Sequence, residues 1–227
     1  MGQYYQIINI DKRERIHPHH LDNGAKLMEW CYVGNEMTNA LMNKLRKDWR
    51  GDRVYIVGDY ADLSDRSEYW ANAYEEAITE LNIADTVNHD GVKIDSLYKV
   101  GYADEDSEQY VKDISKDVCT KGSALRYIVN RKFGKYIDIT HCPTSRTGIN
   151  EEDGTLWNMY VHPLPLLIAM GNNRGGGDYR ENSPGFEYVG SWCDSVRWIE
   201  VYEKTKEIHG FESMSEFMPN FGIKIYR

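Results

Sequence analysis

The densest chemistry in the sequence is the run Gly171-Asn172-Asn173-Arg174-Gly175-Gly176-Gly177-Asp178-Tyr179. Three successive glycines leave backbone N–H groups bare, and such a backbone can form a concave nest for an anion. Arg174 can grip phosphate or carboxylate with two parallel N–H bonds. Asp178 can orient Arg174, accept a ribose hydroxyl or act as a base, and Tyr179 can stack on a nucleobase. The run lacks the Gly-Lys-Ser/Thr of a P-loop, and its glycines are not spaced as in a dinucleotide fingerprint. A loop that only ends a helix needs one glycine. The expected ligand-binding set is therefore Arg174, Gly175, Gly176, Gly177, Asp178 and Tyr179.

Imidazoles come from His17-Pro18-His19-His20 and from His162-Pro163. His17 or His162 could serve as acid or base in a phosphoester hydrolase, with Asp59 or Asp178 as carboxylate partner. A metal reading of His17 and His19 with Asp22 or Asp59 has no second signature such as HExxH, so no metal and no cofactor is expected. His141-Cys142-Pro143-Thr144-Ser145-Arg146-Thr147-Gly148 resembles the phosphate loop of protein tyrosine phosphatases. That family has five residues between Cys and Arg, and here there are three, too few to ring a phosphate; a buried Cys142 in a loop is the better reading. Asp59, Asp62 and Asp65 recur at every third residue, whereas a calcium loop needs alternate positions and a closing Glu. Helix capping accounts for most of that spacing.

Elements must position these groups. Residues 4–10 read as a strand, 11–14 as a polar turn and 15–16 as the start of a return strand. Asn35 caps a helix reaching Lys47, with Met37, Ala40, Leu41 and Leu45 on one face. Residues 53–57 are a strand ending at Gly58. Trp70, Ala73, Tyr74, Ala77, Ile78 and Leu81 stripe a helix over 67–81. Residues 97–100 read as a strand, and 110–118 have the spacing of a third helix. A hairpin is expected over 125–140, a loop over 142–154, and a strand over 156–161. A short helix spans 164–170, with Pro165 early and Gly171 ending it. Strands follow at 186–190, 196–202 and 222–226. Helices and strands mix without βαβ alternation. The expectation is one α+β domain over 1–227, with a mostly antiparallel sheet and about three helices.

Similar words recur in order: Tyr5 to Asn9, His17-Pro18 and Val57-Gly58-Asp59-Tyr60; then Tyr127 to Asn130, His162-Pro163 and Val189-Gly190-Ser191-Trp192. They suggest two pseudo-symmetric halves, 1–120 and 121–227, with His17 and His162 lining the cleft between them. A third copy, Val100-Gly101-Tyr102, shows that the last word is partly a generic strand-to-turn signal.

Composition narrows the function classes. The 227 residues carry a formal net charge of -9, with 41% hydrophobic and 12% aromatic residues. Direct nucleic-acid binding is not expected, because basic clusters are needed to displace counterions from phosphates. Four cysteines without CxxC spacing read as reduced thiols. The N-terminus has no basic-then-apolar leader, and no apolar run approaches a membrane span. A cytoplasmic location without membrane contact follows as the expectation.

Several segments together carry a resemblance: Met1-Gly-Gln-Tyr-Tyr5, Asn23-Gly24-Ala-Lys26-Leu-Met-Glu29, Val57-Gly58-Asp59-Tyr60-Ala61-Asp62, and Pro163-Leu-Pro-Leu-Leu167 with Gly171-Asn172 and Arg174 to Tyr179. The sequence resembles a family of uncharacterised bacterial and phage-encoded proteins. The resemblance implies a phage- or mobile-element-borne protein in the host cytoplasm, acting against host defence, with a host defence protein as a partner. The leading expectation for function is a binding protein for a small anionic ligand, in the first place a nucleotide. The alternatives are a nucleotide or phosphoester hydrolase and a protein inhibitor of a host nuclease.

Overall fold

The computed structural model describes residues 3–61, 70–83, 86–122, 124–142, 144–149, 156–171 and 188–214. In chain order the strands are β1 Tyr5–Asn9, β2 Glu14–Ile16, β3 Val54–Gly58, β4 Thr86–Val87, β5 Lys93–Ile94, β6 Lys112–Asp113, β7 Tyr127–Asn130, β8 Lys135–Asp138, β9 Thr144–Ile149, β10 Leu156–Tyr160, β11 Ala169–Met170, β12 Ile199–Tyr202 and β13 Glu212–Ser213. The α-helices are α1 Leu27–Trp30, α2 Glu36–Arg46, α3 Ala71–Glu80 and α4 Pro163–Leu167. They build one five-stranded sheet, β11-β3-β1-β2-β6, one four-stranded sheet, β12-β7-β8-β13, and two ribbons, β10-β9 and β4-β5.

The α+β class stands, but the larger sheets are mixed rather than mostly antiparallel. β11 runs parallel to β3, β6 parallel to β2, and β13 parallel to β8. Each of these parallel strands is two residues long and joins an edge after a long excursion of chain. A two-residue strand has no period to read, so its direction follows from where the chain returns.

The central elements form for local reasons. All five residues of β1 and of β3 are buried, as expected of strands covered on both faces. Asn35 Oδ1 accepts the Met37 N–H at 2.8 Å, which caps α2 and leaves Met37, Leu41 and Leu45 to enter the core. Ala73, Tyr74 and Ala77 are the buried stripe of α3. Buried side chains of both large sheets, among them Ile7, Ile56, Ile128 and Ile199, join one contiguous cluster.

Elsewhere tertiary pairing overrides the local pattern. The helical spacing of 110–118 yields β6 and a 3-10 turn, Ser115–Asp117, because the N–H groups of Lys112 and Ile114 donate to the Arg13 and Arg15 carbonyls at 2.8 and 3.0 Å. Residues 97–100 enter a 3-10 turn, Lys99–Tyr102, rather than a strand. The expected loop after Cys142 contains β9, paired with β10. α4 stops at Leu167 and the chain straightens into β11. A 3-10 turn, Cys193–Trp198, takes the first part of the expected strand at 196–202. In place of the expected strand at 186–190, the described residues 188–190 form a turn, with the Ser191 N–H donating to the Tyr188 carbonyl at 3.0 Å and Gly190 left-handed (φ 76°). Residues 186 and 187, the expected beginning of the second helix and the strand at 222–226 lie outside the described residues.

Two groups of four strands share order and direction: β3-β1-β2-β6 and β12-β7-β8-β13. Ile7 faces Ile16 and Asn9 faces Glu14 in one hairpin; Ile128 faces Ile137 and Asn130 faces Lys135 in the other. Both hairpins turn through a left-handed residue, Arg13 (φ 52°) and Gly134 (φ 64°). The carbonyls of those two residues accept the N–H groups of Lys112 and Glu212, both at 2.8 Å. The buried Asn9 amide donates to Asp52 Oδ2 at 2.8 Å, and the buried Asn130 amide to Ser195 Oγ at 2.7 Å. The N–H groups of Asp52 and Ser195 close turns onto the carbonyls of Trp49 and Trp192, at 3.1 and 2.9 Å.

Candidate functional site

β3 and β11 lie side by side and parallel, with Ala169 opposite Ile56 and Met170 opposite Val57. Their carboxyl ends therefore open at one place, at Gly58 and Gly171. In open α/β sheets, ligands favour the carboxyl ends of parallel strands. The chain leaves β11 at this point towards Arg174, Gly175, Gly176, Gly177, Asp178 and Tyr179, all of which lie outside the described residues.

Both glycines are bare because Gln3 occupies the space beside them. A Cβ on Gly58 would collide with Gln3 Nε2, and one on Gly171 would stand 2.5 Å from the Tyr5 hydroxyl and 2.7 Å from Gln3 Oε1. The Tyr5 hydroxyl donates to Gln3 Oε1 at 2.8 Å. That bond orients the amide and leaves Nε2 as its donor. Gln3 has 0% relative exposure, and among the described residues Nε2 has no hydrogen-bond partner. An unsatisfied buried donor costs about 1–3 kcal/mol, so this amide is costly unless something occupies its donor. Sequence reading did not single out Gln3; its only signal was its place in the opening Gly-Gln-Tyr-Tyr word.

Asp59 stands at the same end of β3. Its N–H donates to the Tyr4 carbonyl at 2.9 Å, and its Oδ1 accepts the Tyr4 N–H at 3.0 Å. Burial raises its carboxyl above the usual range, against the N–H groups that favour the charged form. The side chain thus ties the N-terminal segment to the strand end.

The two imidazoles sit elsewhere. His17 precedes the 3-10 turn Pro18–Leu21, its N–H donating to Ser115 Oγ at 2.8 Å. Its buried Nδ1 has no partner among the described residues, and burial, followed by the Arg15, His20 and His19 charges, lowers it to about 4. The His19 and His20 rings stand 5.2 and 5.0 Å away. His162 precedes α4, its N–H donating to the Cys31 carbonyl at 2.9 Å. It is buried, its Nδ1 has no partner among the described residues, and burial lowers it to about 3. Both rings are neutral at pH 7. Among the described residues no hydrogen bond or ion pair links His17, His162 and Asp59, and no group of three His, Cys, Asp or Glu side chains could hold a metal ion. Cys142 is buried, with its thiol pushed up to about 12, which leaves little thiolate for nucleophilic attack.

Compared with known proteins, the chain matches no family model, no curated protein and no solved structure. Among the described residues no helix is long and apolar enough to cross a membrane.

Proposed function

We propose that the chain binds a phosphate-bearing small ligand, in the first place a nucleotide, at the carboxyl ends of β3 and β11. The observation that carries this reading is the buried Gln3 amide. It presents an unpaired donor between two glycines, where the glycine-rich segment begins. In this reading Arg174 and the Gly175, Gly176 and Gly177 amides hold phosphate, Asp178 orients Arg174 or accepts a ribose hydroxyl, and Tyr179 stacks on the base. Binding is preferred over hydrolysis because, among the described residues, neither His17 nor His162 has a carboxylate hydrogen bond to make it a directed base. The proposed use is sequestration of a nucleotide signal by a phage-borne protein.

Thermal shift with a panel of nucleotides tests the reading. A nucleotide is expected to raise the melting temperature, and Arg174→Ala to abolish that rise. No stabilisation by any phosphate-bearing ligand, or an undiminished rise in the variant, would remove the idea.

We further propose that the two matched strand groups are copies of one unit. The shared register, turn and asparagine bridge support it. The same register gives Asp138, rather than His162, as the counterpart of His17, and Tyr202, rather than Val189, as the counterpart of Val57. A common cleft lined by both histidines therefore does not follow from the duplication.

A further inference from the structure

A cleft of about 940 Å³ lies at the opposite end of β3, between α3 on one side and the Cys193–Trp198 turn with Lys132 on the other. It draws on both strand groups. Its floor holds the buried side chains of Tyr55 and Cys193, whose hydroxyl and thiol burial keeps protonated.

Most of the charge around it is already matched. Arg53 donates to Asp11 Oδ1 from Nε and Nη2, at 3.0 and 2.7 Å, and pairs with Glu80 at 3.2 Å. Arg197 reaches the same Asp11 oxygen at 3.1 Å with one Nη2. What remains is the informative part. Glu76 on the α3 wall and Asp194 on the facing wall have no hydrogen bond or ion pair to their carboxylates among the described residues. The Lys132 ammonium donates to the Asp194 backbone carbonyl at 3.1 Å and lies 5.9 Å from the Phe133 ring centre, and among the described residues it meets no carboxylate. The Trp198 indole, 53% exposed, stands beside them.

We propose that this cleft binds a small zwitterion, an amino acid or short peptide. Its ammonium or guanidinium lies against Glu76 and Asp194, its carboxylate against Lys132 and the free edge of Arg197, and its side chain on the indole. Unmatched charges of both signs in one cleft favour a ligand carrying both. A half-exposed indole adds a flat apolar face that also attracts cations. The volume is that of an ordinary small-ligand cleft. A nucleotide fits poorly, because Glu76 and Asp194 would repel its phosphates. The proposal is independent of the nucleotide site, which lies at the other end of β3.

The test uses the full chain labelled with ¹⁵N, the Trp198 indole N–H being assigned from Trp198→Phe. The probes are dipeptides covering the side-chain classes, their N-acetyl and C-amide forms, spermidine and AMP. Free dipeptides are expected to move the indole signal saturably. Capping either end, or Glu76→Gln or Lys132→Met, is expected to weaken binding about tenfold. Arg174→Ala should leave the dipeptide response intact, which separates this site from the nucleotide site. No saturable response to any dipeptide overturns the proposal. Equal binding of capped forms, or a response to spermidine or AMP alone, overturns it as well.

Discussion

His162 is an imidazole that the fold holds neutral by burial alone. Between pH 6.5 and about 3 the unfolded chain binds a proton there that the folded chain does not. Stability present above pH 6.5 is therefore lost as pH falls through that window. His17 adds a second such window, down to about 4. His162→Leu is expected to make the fall of unfolding free energy across this range shallower by up to about 1 kcal/mol per pH unit. Urea melts at a series of pH values measure it, and an unchanged slope would contradict the buried, neutral assignment. Gln3 makes the complementary case. Gln3→Met removes an unpaired donor from the interior and also the acceptor of the Tyr5 hydroxyl, two effects of opposite sign, so it should leave stability within about 1 kcal/mol of the parent while weakening nucleotide binding about tenfold. A normal affinity in that variant would show that the amide plays no part. At this scale the sequence exposed the histidines, because their types are rare and chemical. It hid Gln3, because a glutamine becomes informative only once burial leaves its donor unpaired among the described residues.

α2 and β1 were legible because their signals are local: an asparagine cap with helical spacing in one, aromatic and β-branched residues ahead of a polar turn in the other. β6, β9 and β13 were not. β6 and β13 pair with strands far away in the sequence, and β6 even carries a helical spacing that the edge of β2 overrides; β9 pairs with the strand that follows it, in a segment whose residues gave no strand signal. The asparagine bridges belong to this scale too. Asn130 accepts the Lys132 N–H at 3.1 Å while its amide donates to Ser195, so one side chain joins a hairpin turn to the turn before the next strand. Asn9 does the same with Lys12 and Asp52. Asn9→Ala and Asn130→Ala should each cost about 1–3 kcal/mol, since each removes the two hydrogen bonds made by a buried amide. Chemical denaturation of the two variants checks this; a large loss in one and none in the other would count against equivalent units.

For the molecule as a whole, β3 separates two kinds of chemistry. Its start borders a cleft with unmatched charges of both signs. Its end borders two glycines, a buried amide donor and the departure of the Arg174 to Tyr179 segment. Net charge -9 gives no broad attraction for phosphate, so an anionic ligand has to be held by specific donors rather than by a general field. The glycine-rich word suggested that chemistry from sequence; the parallel placing of β11 beside β3, which ends where that word begins, is the structural ground of the proposal. The most direct measurement follows the amide signals of Gln3 and of Gly175 to Gly177 in ¹⁵N spectra as a nucleotide is added, with the Gln3 pair assigned from Gln3→Met. Saturable movement of both sets at the same ligand concentration is the expected result. Signals that stay fixed in saturating nucleotide would contradict a phosphate site at this end of the sheet.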